Sequence, residues 1–183
     1  MVTPQKQRNV WRTSIRSPIP PLFLLTLAAF SGCTTYSTVQ IHEPLEHSKP
    51  YQVRIEGCTN RSDFKGSRDI AAEATRALHE RIDDSGVFQV TPHAQYALTC
   101  DIERFQEGSA FKRWLAPGYG ATQAEVVVMV WELSAQKVLA TFRSEATVEV
   151  GGLYTIGADQ YILGVAFDDI IKQLKAWATG ENF

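Results

Sequence analysis

Residues 137–150 read KVLATFRSEATVEV. Val138, Ala140, Phe142, Ala146, Val148 and Val150 fall on one side of an extended chain, and Thr141, Arg143, Glu145, Thr147 and Glu149 on the other. Successive side chains of a strand point to opposite faces, so this spacing predicts a strand with one face in a core and one in water. That is the signature of an antiparallel sheet open to solvent on one side.

Working outward, residues 87–91, 96–105 and 123–133 give three further strands. Residues 51–56, YQVRIE, give another, with Tyr51, Val53 and Ile55 on one side. Strand 123–133 differs from the rest, because Val127, Met129, Trp131 and Leu133 make its second face apolar too. That face is either covered or a contact surface. Within Ser67–Ser85, Ile70, Ala74, Ala77, Leu78 and Ile82 form a stripe at helical spacing, and Gly86 supplies a stop. A closing helix over Asp159–Thr179 carries Leu163, Phe167, Ile170, Leu174 and Trp177 and ends at Gly180. Its stripe is wide enough for a core helix rather than one lying on a membrane. The expected order is β-α-β-β-β-β-α: an α+β two-layer sandwich, mostly antiparallel, with both helices on one face.

The N-terminal region has a different character. Lys6, Arg8, Arg12 and Arg16 precede an apolar run, Leu22–Phe30, and no acidic residue occurs before Glu43. The run is far short of the roughly 20 residues that a membrane-spanning helix needs. A basic segment, a short apolar run and then small residues make the pattern of a secretory signal. Phe30-Ser31-Gly32-Cys33 resembles the lipobox of bacterial lipoproteins, cut before a cysteine that becomes lipid-modified, with Phe30 where leucine is usual. The resemblance implies a signal peptide over 1–32 and lipid, palmitate included, on Cys33. With Thr34 rather than Asp after the cysteine, it also implies the periplasmic face of the outer membrane. An ordinary secretory signal or an uncleaved anchor is the alternative. Residues 33–50 are polar with Pro44 and Pro50, and read as a lipidated tether ahead of a single periplasmic domain over 51–183.

Removing residues 1–32 leaves 151 residues, enough for one core. The chain has 18 Lys and Arg against 20 Asp and Glu; the signal takes four basic and no acidic side chains, leaving 14 against 20 and a net charge of −6. No segment concentrates basic residues as a nucleic-acid surface requires, so nucleic acid is not an expected partner. Beyond Cys33 lie Cys58 and Cys100. In an oxidising compartment they can form a disulfide, and a buried free thiol at Cys100 fits equally well, in line with Tyr96, Leu98 and Ile102.

Catalytic and metal patterns are missing from the sequence. His42 and His47 lie in the tether, His79-Glu80 lacks the second histidine of a zinc motif, and His93 follows a proline. Asp83-Asp84 and Asp168-Asp169 are neighbours that point to different helix faces. The expectation is no enzyme, no cofactor and no metal.

Residues 107–120, EGSAFKRWLAPGYG, are long for a hairpin and carry Phe111, Arg113, Trp114, Leu115 and Tyr119. They are either a contact loop or aromatics capping the core. A second glycine-rich loop covers residues 151–157. The stretch from Tyr96 to the final helix is similar to the bacterial lipoproteins grouped as domain of unknown function 4410, at Phe105, Gly108, Arg113, Gly118, Gly120 and Ala121. The turn Ser134–Lys137 departs from that pattern by lacking glycine. The family has no established catalytic residues. The expected function is an outer-membrane-anchored lipoprotein whose non-catalytic domain binds an envelope protein partner. The alternative is a transport-accessory lipoprotein that handles lipid or glycan in a cavity lined by the aromatic loop and the second face of strand 123–133.

Overall fold

A computed structural model describes residues 33–45, 50–115, 119–149 and 157–181, without the side chains of Ala110, Arg113 and Trp114. The expected signal segment, residues 1–32, lies outside the described residues. Nine elements follow one another: β1 (Thr34–Ile41), β2 (Tyr51–Asn60), α1 (Ile70–Asp83), β3 (Phe88–Val90), β4 (Tyr96–Gln106), α2 (Ala110–Leu115), β5 (Thr122–Glu132), β6 (Lys137–Val148) and α3 (Ala158–Thr179). They build an α+β fold around one six-stranded sheet in the order β1-β6-β5-β4-β2-β3. The pairs β1–β6, β6–β5 and β5–β4 are antiparallel, while β2 lies parallel to both β4 and β3. The sheet is thus mixed and mostly antiparallel.

The alternation in β6 does what its spacing predicts. Ala140, Phe142, Ala146 and Val148 are fully buried, as are Ala124, Val126 and Val128 on β5 and Leu98 and Ile102 on β4. This strand face meets α1 through Ile70, Ala74, Leu78 and Ile82 and α3 through Ile162, Phe167, Ile170 and Leu174, all in one core cluster. Phe142 packs on Trp177 with ring centroids 5.7 Å apart. The start of β6 departs from the expected alternation. The β5–β6 register shifts between Val130 and Trp131, so Leu139 is buried and Val138 only half-buried. A bulge has that effect, because one extra residue hands every later side chain to the other face.

The start of α1 and the end of α3 each have a local reason. Asp69 precedes α1 and accepts from the Ala72 N–H at 3.0 Å, satisfying a donor that the first turn leaves open. Gly180 ends α3 in the left-handed region at φ 72, with its N–H turned back to the last carbonyls. Arg68, just ahead of α1, ties three elements together. It pairs with Glu73 on α1, Glu107 after β4 and Asp159 on α3, and lies over the Phe105 ring.

The first correction concerns residues 33–50. The expected tether contains β1, which pairs with β6 over eight residues without a register shift, from Thr34↔Thr147 to Ile41↔Ala140. Thr34–Ile41 is TTYSTVQI, and its β-branched residues suit a pleated edge even though few of them are apolar. No linker therefore separates Cys33 from the folded unit. The second correction is α2, a helical turn and a half inside the stretch expected to be loop.

Candidate contact surface

The cysteines come first, because a local irregularity decides them. The alternation Tyr51, Val53, Ile55 along β2 would carry a regular strand's Gly57 inward and Cys58 out. Gly57 sits at φ 98, where glycine is favoured, and the β2–β4 register shifts there. The shift places Cys58 opposite Cys100, and the two are joined in a disulfide with Cα atoms 4.3 Å apart. The Thr75 hydroxyl on α1 accepts from the Cys58 N–H at 2.8 Å and fixes the bulge against the helix. The bridge thus links two adjacent parallel strands beneath α1.

Cys33 is exposed and precedes the first residue of β1. Partial desolvation pushes its thiol above the ordinary value, the opposite of what an activated nucleophile needs. Among the described residues no group of three His, Cys, Asp or Glu side chains could hold a metal ion. The arginines with raised pKa values are held by carboxylates. For Arg68 the first cause is the hydrogen bond it donates to Glu73, and for Arg143 the one it donates to Glu103. Such locked cations hold the sheet and helices together and have no proton to exchange near neutrality.

The stretch 107–120 closes on itself at its base, where the Ser109 N–H donates to the Gly120 carbonyl at 3.0 Å. Gly120 has φ 77, and a Cβ there would lie 2.7 Å from the Lys112 Cβ, so position and conformation both call for glycine. From this base α2 presents Phe111 and Leu115, which are 67% and 59% exposed, and Tyr119 beyond it is 59% exposed. The Lys112 ammonium lies 5.5 Å from the Tyr119 ring centroid. Of the expected contact residues, the structure thus puts Phe111, Leu115 and Tyr119 at the surface, not over the core. The side chains of Arg113 and Trp114 lie outside the described residues, as does most of the second glycine-rich loop, residues 151–156.

The second face of the sheet splits into two regions. Val127 is buried there, and Trp131 donates from its indole N–H to the Thr99 hydroxyl at 3.0 Å. Beside them runs a charged lattice in which Arg143 pairs with Glu103 and Glu125, and Arg104 pairs with Glu125 and Glu145. The aliphatic stems of such side chains cover apolar neighbours while their heads stay wet.

The grooves among the described residues include one of about 350 Å³ between α1 and α3, one of about 860 Å³ between β1 and α3, and one of about 520 Å³ beside Phe64 and Phe105. None is lined by Phe111, Tyr119, Val127, Met129 or Trp131. No helix among the described residues is long and apolar enough to cross a membrane.

Solved structures resemble parts of this chain at low identity. The PelC dodecamer from Paraburkholderia phytofirmans is 13% identical, with a TM-score of 0.51 over 77% of this chain and 95% of that one. The LpoB C-terminal domain from Salmonella enterica is 11% identical, with a TM-score of 0.41 over 56% of this chain and 86% of that one. The lipoprotein GNA1162 from Neisseria meningitidis is 10% identical, with a TM-score of 0.39 over 68% and 98%. No curated protein matches the chain in sequence. Residues 65–152, which contain every position of the resemblance drawn from the sequence, match the family described as Domain of unknown function (DUF4410).

Proposed function

We propose that the protein is a lipid-anchored envelope protein. In this reading Cys33 carries the lipid, palmitate included, on the periplasmic face of the outer membrane, and the domain binds an envelope protein without catalysing a reaction. The observation that carries the reading is the position of Cys33, exposed at the head of the first strand and preceded by a signal-like segment. A cysteine placed there is open to modification and holds no part of the core. The contact surface is α2 with Tyr119. It sets aromatic and aliphatic side chains on a short helix pinned at its base, and aromatic residues are frequent energetic centres of protein interfaces.

Two experiments separate the halves of this proposal. Cells fed labelled palmitate should label the native protein and leave Cys33→Ser unlabelled, with the variant released from the membrane fraction. Label in the variant, or none in the native protein, removes the lipid reading. For the surface, Phe111→Ser with Tyr119→Ser should cut recovery of the co-purifying envelope protein at least about tenfold, equivalent to about 1.4 kcal/mol. The melting temperature should hardly move, because exposed positions change stability by only about 0.5 kcal/mol. Undiminished recovery places the contact elsewhere.

A further inference from the structure

The two edges of the sheet are not alike. The β3 edge is three residues long, Phe88–Val90. The β1 edge runs for eight residues, contains no charge, proline or glycine, and keeps a regular register with β6. Edge strands offer unpaired N–H and C=O groups, and proteins normally shorten, charge or bulge them to prevent further pairing. None of these protections is present on β1.

Its polarity can be read from the register. The His42 N–H donates to the Leu139 carbonyl at 2.8 Å, continuing the β1–β6 ladder by one step. In an antiparallel ladder every second residue bonds to a given neighbour, so Gln40, Thr38 and Tyr36 bond toward β6. The backbone groups of Thr35, Ser37, Val39 and Ile41 then point away from the sheet. The side chains of these same residues share the face of Phe142 and Ala146, the side on which α3 lies.

Beside this edge lies the β1–α3 groove of about 860 Å³, lined by Ser37, Val39 and Ile41 from the strand and by Asp169, Lys172 and Gln173 from the helix. Gln173 is 8% exposed. Its amide N–H donates to Asp169 at 2.9 Å, while its Oε1 has no hydrogen-bond partner among the described residues. That oxygen is itself enclosed, with almost no accessible surface, so it is shielded from the groove and does not determine what lies against the edge. The open edge itself calls for an extended occupant that supplies backbone bonds to β1.

We propose that this occupant is β1 of a second copy, paired antiparallel about a two-fold axis through Ser37. Parity restricts the register to those in which Thr35, Ser37, Val39 and Ile41 face one another, because residues directly opposite in an antiparallel pair lie on the same face, and the axis through Ser37 is one of these. Ser37 faces the second copy's Ser37, Thr35 faces its Val39, and Tyr36 faces its Thr38. The incoming strand places its Thr35 and Val39 side chains on the α3 side of the sheet, while each Ser37 hydroxyl donates to Asp169 of its own copy at 3.5 Å. The strand is uncharged, so no like charges meet along the ribbon. The axis is perpendicular to the strands, so both Cys33 residues lie at the same height at opposite ends of the ribbon. Two lipids on these cysteines could therefore enter one bilayer without distorting the pair. That last point depends on the lipid reading above; the pairing itself does not. An eight-residue ribbon is a small interface, and co-anchoring would raise the effective concentration of the two edges.

The test uses the full chain with Cys33→Ser, so that it does not depend on lipid. With Cys58 and Cys100 bridged, Ser37→Cys then provides the single free thiol. At high protein concentration, mild oxidation should link two copies through position 37. Thr34→Cys in the same background should not link, since its twin lies six residues along the ribbon, roughly 20 Å away. Ser37→Lys should abolish the dimer in sedimentation while leaving the melting temperature unchanged. Amide exchange at Thr35, Ser37 and Val39 should slow as native protein is concentrated. A chain that stays monomeric with no link at position 37, or one that links equally at 34 and 37, overturns the proposal. Failure of palmitate labelling would leave these outcomes as they stand.

Discussion

Opening the Cys58–Cys100 bridge is expected to remove about 4 kcal/mol of stability, the chain-entropy value for a loop of this size. The two cysteines are 42 residues apart in sequence, and the intervening chain holds the end of β2, all of α1, β3 and the start of β4. Uncoupling them frees a long segment in the unfolded state and loosens a parallel pair in the folded one. Urea denaturation of the native protein, of the reduced protein and of Cys58→Ala with Cys100→Ala measures the loss. The midpoint should fall in both altered forms, and the melting temperature should drop by about 2–4 °C per kcal/mol. A midpoint that does not respond to reductant would show that the bridge contributes nothing.

A second large effect is expected at Phe142. It is fully buried at the middle of β6 and packs on Trp177 from α3. Truncation to alanine leaves a cavity between sheet and helix that neither can collapse to fill, at a cost of about 3–5 kcal/mol. Phe111→Ala removes the same ring from an exposed site and should change stability by only about 0.5 kcal/mol. Calorimetric scans of the two variants side by side check the contrast. Equal losses would mean that Phe111 is part of the core.

The residues of β6 made the sheet legible, because large apolar side chains at period two have no other comfortable arrangement. Ile70, Ala74, Leu78 and Ile82 did the same for α1. What the sequence hid has physical causes. Thr34–Ile41 is small and polar along most of its length, so an edge strand reads as a linker when apolar period is the signal. The direction of Cys58 depended on one glycine at positive φ, a backbone choice that leaves no periodic trace. Parallel pairing of β2 with β4 and β3 is a long-range outcome and has no local pattern. The contact stretch 107–120 was legible as long and aromatic, but α2 was not, since a helix of six residues presents too few positions for a period to show. The burial of Gln173, whose oxygen has no partner among the described residues, could not be seen without the fold, because glutamine on a helix normally reads as a solvated residue.

The place of Cys33 directly ahead of β1 also has a mechanical meaning. Backbone hydrogen bonds between antiparallel strands lie perpendicular to the chain. A pull on Cys33 along the strand axis therefore loads the whole ladder from Thr34↔Thr147 to Ile41↔Ala140 in shear, with every bond sharing the force. A pull across the sheet peels the same ladder one bond at a time from Thr34. Tension arriving at the N-terminal end of the fold is thus resisted or yielded to according to its direction, and β1 serves as a grip that holds under sliding and releases under lifting.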